Sequence, residues 1–251
     1  MSRVQSEVVS ADKVTRLLWA GLLLCVAAFV KMPAVDLNVS QYFFTPGFGF
    51  THRLNPWVVA IYDWTPLIGR GILVALVLFA VTCPWLVRWM RRQGHQRWAS
   101  ECEGRWRKMA AVAVICGVLG PGLVIEGWLK NAVGRPRPVQ VVNFGGDQPF
   151  KRVLEMGTDP QHHRSFVSSH AAAGYWLISL GLTSGALWRR RWLGIGLVLG
   201  SAIGLVRIMQ GGHFLSDIIF AFYAVWIPCE MVAALDRHRQ RHPKRLPAPS
   251  P

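Results

Sequence analysis

The chain has 251 residues, room for one domain or two small ones. Hydrophobic residues make up 52% and charged residues only 16%, below the share of about 25% usual in soluble proteins, which excludes a disordered chain and argues against one soluble globule. The formal net charge is +15, which fits nucleic-acid binding in a soluble protein or basic cytoplasmic loops in a membrane protein, and the positions of the charges decide between them.

Six apolar runs recur along the chain, at roughly 17–35, 66–87, 109–129, 171–188, 192–209 and 214–235. Most reach the ~18 residues that cross a bilayer; the fifth is the weakest, being short and rich in Gly. Backbone groups in lipid must be bonded within their own segment, so the runs are expected to be helices. The expected fold is therefore all-α, an integral membrane protein with six transmembrane helices. A six-helix domain over 1–235 is followed by a basic, disordered tail over 236–251.

Basic residues cluster in 1–16, in 88–108, in Arg189-Arg190-Arg191 and after Asp236, which together hold 18 of the 28 Lys and Arg. All four segments fall on one side of a six-span path, so the positive-inside rule makes them cytoplasmic, with both termini inside. Trp85, Trp89, Trp106, Trp188 and Trp192 flank them as an interfacial belt. The charge is thus explained by topology, and no nucleic-acid partner is expected. Cys25, Cys83, Cys102, Cys116 and Cys229 lie in spans or an inner loop, so no disulfide is expected, and no Cys/His spacing suits zinc. The first run reads as a retained span rather than a cleaved signal.

Three polar clusters remain, all at the opposite, outer ends of spans three to six. The first runs from Lys130 to Pro138, where Lys130 and Arg137 suit phosphate oxygens and Pro136 and Pro138 stiffen the loop. A basic helix end among lipid headgroups is the plainer alternative. The second is Ser165-Phe-Val-Ser168-Ser169-His170, where Ser168 or Ser169 caps a helix whose free N–H groups form an anion site. The alternative there is an ordinary cap with an incidental His. In the third, Arg207 precedes Gly211-Gly212, His213 and Asp217, and the i, i+4 spacing sets His213 and Asp217 on one helix face. A carboxylate there can hold one imidazole nitrogen and leave the other nucleophilic; a structural His–Asp pair is the plainer reading.

Together the clusters resemble the three signature motifs of the type-2 phosphatidic acid phosphatase superfamily: K-x6-R-P in Lys130, Arg137 and Pro138; P-S-G-H in Ser168 and His170; S-R-x5-H-x3-D in Arg207, His213 and Asp217. Val167, Ser169 and Val206 replace the motifs' Pro, Gly and Ser, while every charged and His position is kept. The resemblance implies phosphoester hydrolysis without metal or other cofactor, by way of a phosphohistidine. In that reading His213 is the nucleophile, Asp217 holds its tautomer and His170 serves the leaving oxygen and then water. Lys130, Arg137, Arg207, Ser168 and Ser169 bind the phosphoryl group, and Glu126 pairs with Lys130 or orients it. In the loop 139–166, which borders the site, either Lys151, Arg152 and Arg164 meet a second phosphate or sugar with Phe144 and Phe150 at the interface, or the whole is a solvated loop with interfacial aromatics.

A site at the membrane boundary favours a substrate whose tail stays in lipid. The resemblance suggests lipid A phosphates, undecaprenyl pyrophosphate, phosphatidylglycerol phosphate or phosphatidate. The basic outer loop favours lipid A or a related glycolipid at the periplasmic face of a bacterial inner membrane. One sequon, Asn38-Val39-Ser40, is weak evidence for a eukaryotic source. Rival readings are an anionic-lipid transporter, which requires charges near mid-membrane, a non-catalytic lipid-binding protein, which would lose a catalytic His, and a soluble vanadate-dependent peroxidase, against which the six spans argue. The sequence leaves the oligomeric state open.

Overall fold

The computed structural model describes residues 3–241. Its elements, in chain order, are helix α1 (Arg3–Lys31), the short helix α2 (Ala34–Gln41), α3 (Pro56–Arg92), α4 (Gln96–Ala132), α5 (Ser169–Tyr175, continued as a 3-10 helix over Trp176–Gly181), α6 (Ala186–Met209) and α7 (Leu215–Arg241). Among the described residues the only β pairing is two isolated bridges, Thr45 with Gly49 and Val141 with Gln148.

Local chemistry accounts for the helix limits. Asn55 caps α3 by accepting from the Trp57 N–H at 3.0 Å, and Pro56 fills the first helical position, where no N–H is needed. Pro66 and Pro84 lie inside α3, each near a threonine that bonds back along the helix: Thr65 Oγ1 donates to the Ile61 carbonyl at 2.5 Å, and Thr82 Oγ1 to that of Leu78 at 2.7 Å. In α4 the turns widen into π-helix over Val118–Leu129, around Pro121, which has no N–H to complete the ordinary ladder.

Five of these helices are long and apolar enough to cross a membrane: α1, from Lys13, together with α3, α4, α6 and α7. The expected fourth span, 171–188, carries the chain from the site end to the start of α6 as a shorter helix, about 20 Å over Ser169–Gly181, followed by the turn at 182–185. Ala171, Ala172, Gly174, Tyr175, Trp176 and Ile178 are buried, so the run is apolar because protein surrounds it. The fifth span, expected to be the weakest, is a full 24-residue helix. Its glycines are a packing face. A Cβ at Gly200 would lie 2.2 Å from the Tyr175 ring of α5, and one at Gly204 2.2 Å from Ile218 of α7, so small residues bring three backbones together.

Arg189-Arg190-Arg191, expected in a loop, lies inside the first turns of α6. Arg189 donates to Glu230 at 2.7 Å, as does Arg237 from the end of α7, and Lys108 meets Asp236 at 2.7 Å. The disordered tail therefore does not begin at 236: helix α7 runs to Arg241, and residues 242–251 lie outside the described residues. Trp19 of α1 packs on Trp226 and Phe29 on Phe220, so α1 and α7 are antiparallel. The first helix thus starts where the last one ends, at the basic end of the bundle.

Candidate active site

The three sequence clusters converge at the other end. Backbone hydrogen bonds strap their loops together: Ser165 N–H donates to the Arg135 carbonyl at 2.9 Å, Ser168 N–H to that of Asp217 at 3.2 Å, and Val139 N–H to that of Gly211 at 3.1 Å. Gly211 has φ +65°, and a Cβ at Gly212 would lie 2.4 Å from the Arg207 guanidinium. The double glycine is what lets the chain turn from α6 into α7 directly over that arginine. A layer of Phe50, Val141, Phe144 and Phe214 packs beside the loops.

His213 is 2% exposed. Its Nδ1 donates to the Ser165 carbonyl at 2.7 Å, which keeps the proton on Nδ1 and the lone pair on Nε2. Asp217 was expected to make that bond. Its carboxylate instead stands 3.7 Å from Nδ1, close enough for electrostatic support, and its oxygens are taken by other donors. Oδ2 accepts from Ser165 Oγ at 2.6 Å and from the Phe214 N–H at 2.9 Å, and Oδ1 from Arg135 at 2.6 Å. Burial, only partly offset by Asp217, pushes the His213 imidazole down to about 4, so it is neutral near pH 7.

Arg135 was not among the expected residues, yet it anchors this arrangement. It is 1% exposed and donates to Asp217, to Ser216 Oγ at 2.7 Å, to Asp36 at 2.8 Å and to the Lys151 carbonyl at 3.0 Å, with its guanidinium 4.5 Å from the centre of the Phe214 ring. Asp36 of α2 also accepts from the Ser216 N–H at 2.8 Å and from its hydroxyl at 2.6 Å. A buried Asp36–Arg135–Asp217 chain therefore joins α2 to the first turn of α7. The available signals were weak: a lone acid in Ala34-Val-Asp-Leu37, and an arginine flanking the one that fits the motif.

Lys130, Arg137, His170, Arg207 and His213 share one electrostatic neighbourhood. Arg137 Nε, Arg207 Nε and His170 Nε2 are buried with no hydrogen-bond partner among the described residues. Lys130 pairs with Glu126 at 3.5 Å, as expected. Arg207 donates to Gln210. Tyr62 of α3, a helix without a signature motif, stacks on His170 with ring centres 4.7 Å apart and 15° between planes, while the Arg207 guanidinium lies 4.4 Å from the same ring. Burial, followed by the charges of Arg207, His213 and Lys130, lowers His170 to about 3 against a hydrogen bond with the Tyr62 backbone.

The two serines divide. Ser168 caps α5, accepting from the Ala171 N–H at 3.3 Å, and its own hydroxyl proton stays available. Ser169, expected to bind phosphate, instead donates its hydroxyl to Glu126, so its proton is committed elsewhere. The loop residues are also engaged. Lys151 pairs with Glu155 at 3.0 Å, and Arg164 with Asn131 at 2.9 Å and Glu126 at 3.5 Å. Phe144 is buried against Phe50, away from the interface where it was expected, while the half-buried Phe150 packs on Phe214. Among the described residues no group of three or more His, Cys, Asp or Glu side chains is placed to hold a metal ion.

The model of the PAP2 superfamily matches residues 108–235, which include all three clusters. Three bacterial proteins, each named Lipid A 4'-phosphatase, are similar. One from Francisella tularensis subsp. novicida is 35% identical over 133 residues, 52% of this chain and 60% of that protein, so the matched region spans less than two thirds of that relative. One from Rhizobium leguminosarum is 26% identical over 89% of this chain and 95% of its own length. One from Rhizobium etli is 25% identical over 88% and 86% respectively. No solved structure matches.

Proposed function

This chain belongs to the PAP2 superfamily, and from that premise we propose that it is a membrane lipid phosphatase that removes a phosphate from lipid A or a related glycolipid through a phosphohistidine. The observation that carries the reading is the buried His213, its Nδ1 proton held by the Ser165 carbonyl and its Nε2 free, amid Lys130, Arg137 and Arg207. The three relatives named for lipid A, two of them aligned over most of their length, support the choice of substrate.

In this mechanism His213 Nε2 attacks phosphorus in line with the bond to the sugar oxygen. As that P–O bond breaks, His170 gives the leaving oxygen a proton. Phosphorylation makes the His213 ring cationic; its Nδ1–H stays on the Ser165 carbonyl, and the Asp217 carboxylate 3.7 Å away stabilises the new charge. Water then attacks phosphorus, His170 takes its proton and the P–N bond breaks, returning neutral His213. Lys130, Arg137, Arg207 and the Ser168 hydroxyl hold the phosphoryl oxygens, and positioning plus electrostatics supply most of the acceleration. Burial and its cationic neighbours keep His170 neutral near pH 7. An entering phosphate dianion reverses the local field and raises its proton affinity, so the donor is created by binding.

The bundle's sidedness supports a placement of the site. The basic end belongs in the cytoplasm and the site end at the periplasmic surface of the bacterial inner membrane. Phosphate release in EDTA from a lipid A precursor, undecaprenyl pyrophosphate, phosphatidylglycerol phosphate and phosphatidate, with His213→Ala alongside, tests the reading. Release from the lipid A precursor that the substitution abolishes is the expected result. No release from any lipid, or release unaffected by the substitution, would overturn the mechanism.

A further inference from the structure

A cavity of about 450 Å³ lies between α3, α4 and α5, lined at one end by Glu126 and Ser169, the neighbours of Lys130 and His170. Its walls are mostly apolar, with Leu73, Pro121 and Trp176 among them, which suits hydrocarbon. One wall also carries Arg70, at the site-side edge of the uncharged run 71–87 of α3. A charged side chain beside hydrocarbon normally meets a partner or a polar cavity. Arg70 is exposed and has no hydrogen-bond or ion-pair partner among the described residues. The nearby acid does not neutralise it, because Glu126 is engaged by Lys130, Arg164 and Ser169.

Helix direction places the guanidinium. Tyr62 stacks on His170, so the N-terminal end of α3 is the site end. Arg70 lies eight residues deeper, about 12 Å along the axis. Helical side chains lean toward the N-terminus, so the long Arg70 side chain rises from that depth toward the phosphate pocket. It is a fork of donors on the path that a lipid must take between its phosphate and its hydrocarbon.

We propose that Arg70 binds an acyl-linkage carbonyl oxygen, ester or amide, of the lipid whose phosphate sits between His170 and His213. Its hydrocarbon lies in the cavity. Acylated glycolipids and glycerolipids carry such an oxygen just below the phosphate, whereas polyprenyl phosphates carry only hydrocarbon there. Arg70 is thus a specificity residue that favours acylated lipids. The inference rests on the phosphatase reading above.

The test uses the full chain in detergent, with Arg70→Leu and Arg70→Lys beside the unsubstituted protein. The readout is the ratio of kcat/KM for an acylated disaccharide phosphate to that for undecaprenyl phosphate. Loss of one charge-assisted hydrogen bond lowers this ratio about tenfold or more in Arg70→Leu, and Arg70→Lys, which keeps a donor but loses the fork, falls between. Equal losses on both lipids, or none on either, would overturn the proposal. A second readout does not need turnover: binding of the same two lipids to His213→Ala, with and without Arg70→Leu, by native mass spectrometry. Should the unsubstituted protein hydrolyse neither these lipids nor any of the panel above, the phosphatase reading falls, and the binding ratio alone decides Arg70. A ratio unchanged by Arg70→Leu would then refute it.

Discussion

Asp217 serves two masters at the residue scale. It stands 3.7 Å from the His213 ring and shares Arg135 with Asp36. Removing one partner from a buried ion network leaves charge without compensation, at about 3–5 kcal/mol. Arg135→Met, which strands Asp36 and Asp217 together, is expected to lower stability by that order and to abolish activity; thermal unfolding in detergent beside phosphate release checks both. Asp217→Asn keeps the shape but weakens support for the proposed cationic phosphohistidine. Single-turnover kinetics should show the chemical step slowed by roughly 10²–10³, the loss typical when one preorganised electrostatic group is removed. The pH response follows from His213, lowered by burial to about 4. Between the ordinary imidazole value of about 6.5 and 4 the unfolded chain takes up a proton there that the folded chain refuses. Stability from this group is thus present above about 6.5 and is lost as pH falls, by up to about 3 kcal/mol. Melting temperatures at pH 7.5, 5.5 and 4.5 should fall less steeply in His213→Asn.

At the scale of elements, α6 shows why a glycine-rich run need not be a weak helix. Gly200 faces the Tyr175 ring at a distance that admits no Cβ, whereas a Cβ at Gly194 meets nothing within 4 Å. Gly200→Ala is expected to push α5 away and cost about 1–3 kcal/mol, with lower activity because α5 carries His170. Gly194→Ala should change stability by no more than about 1 kcal/mol. Detergent melts and kcat for the pair check this, and equal behaviour of the two variants would remove the close-packing account. The same contacts explain the short α5, whose apolar residues answer to α4, α6 and α7 rather than to lipid.

At the scale of the whole molecule, basic ends and chemical site lie at opposite ends of the bundle. If the positive-inside rule governs insertion, the site faces out. Phe48→Cys, exposed at the site end, should then react with a membrane-impermeant maleimide in cells with a permeabilised outer membrane. Gln93→Cys, in the turn between α3 and α4, should react only after lysis. The opposite pattern would put the chemistry in the cytoplasm.

By itself the sequence determined the features that depend on local pattern. Apolar runs marked helices, because a lipid-spanning backbone must bond within itself. Basic runs marked one end of the bundle. Spaced Lys, Arg, His and Asp marked the candidate pocket, because motif spacing survives into the first turns of α5 and α7. Only the tertiary structure decided what depends on distant partners. Asp36 and Arg135 lie 99 positions apart and meet only when α2 folds over the loops. Tyr62 reaches His170 from a helix without a motif. The Nδ1 partner of His213 is a backbone carbonyl, which no side-chain pattern can encode. The apolar run at 171–188 could not reveal whether lipid or protein would surround it, because hydropathy measures escape from water and is the same for both.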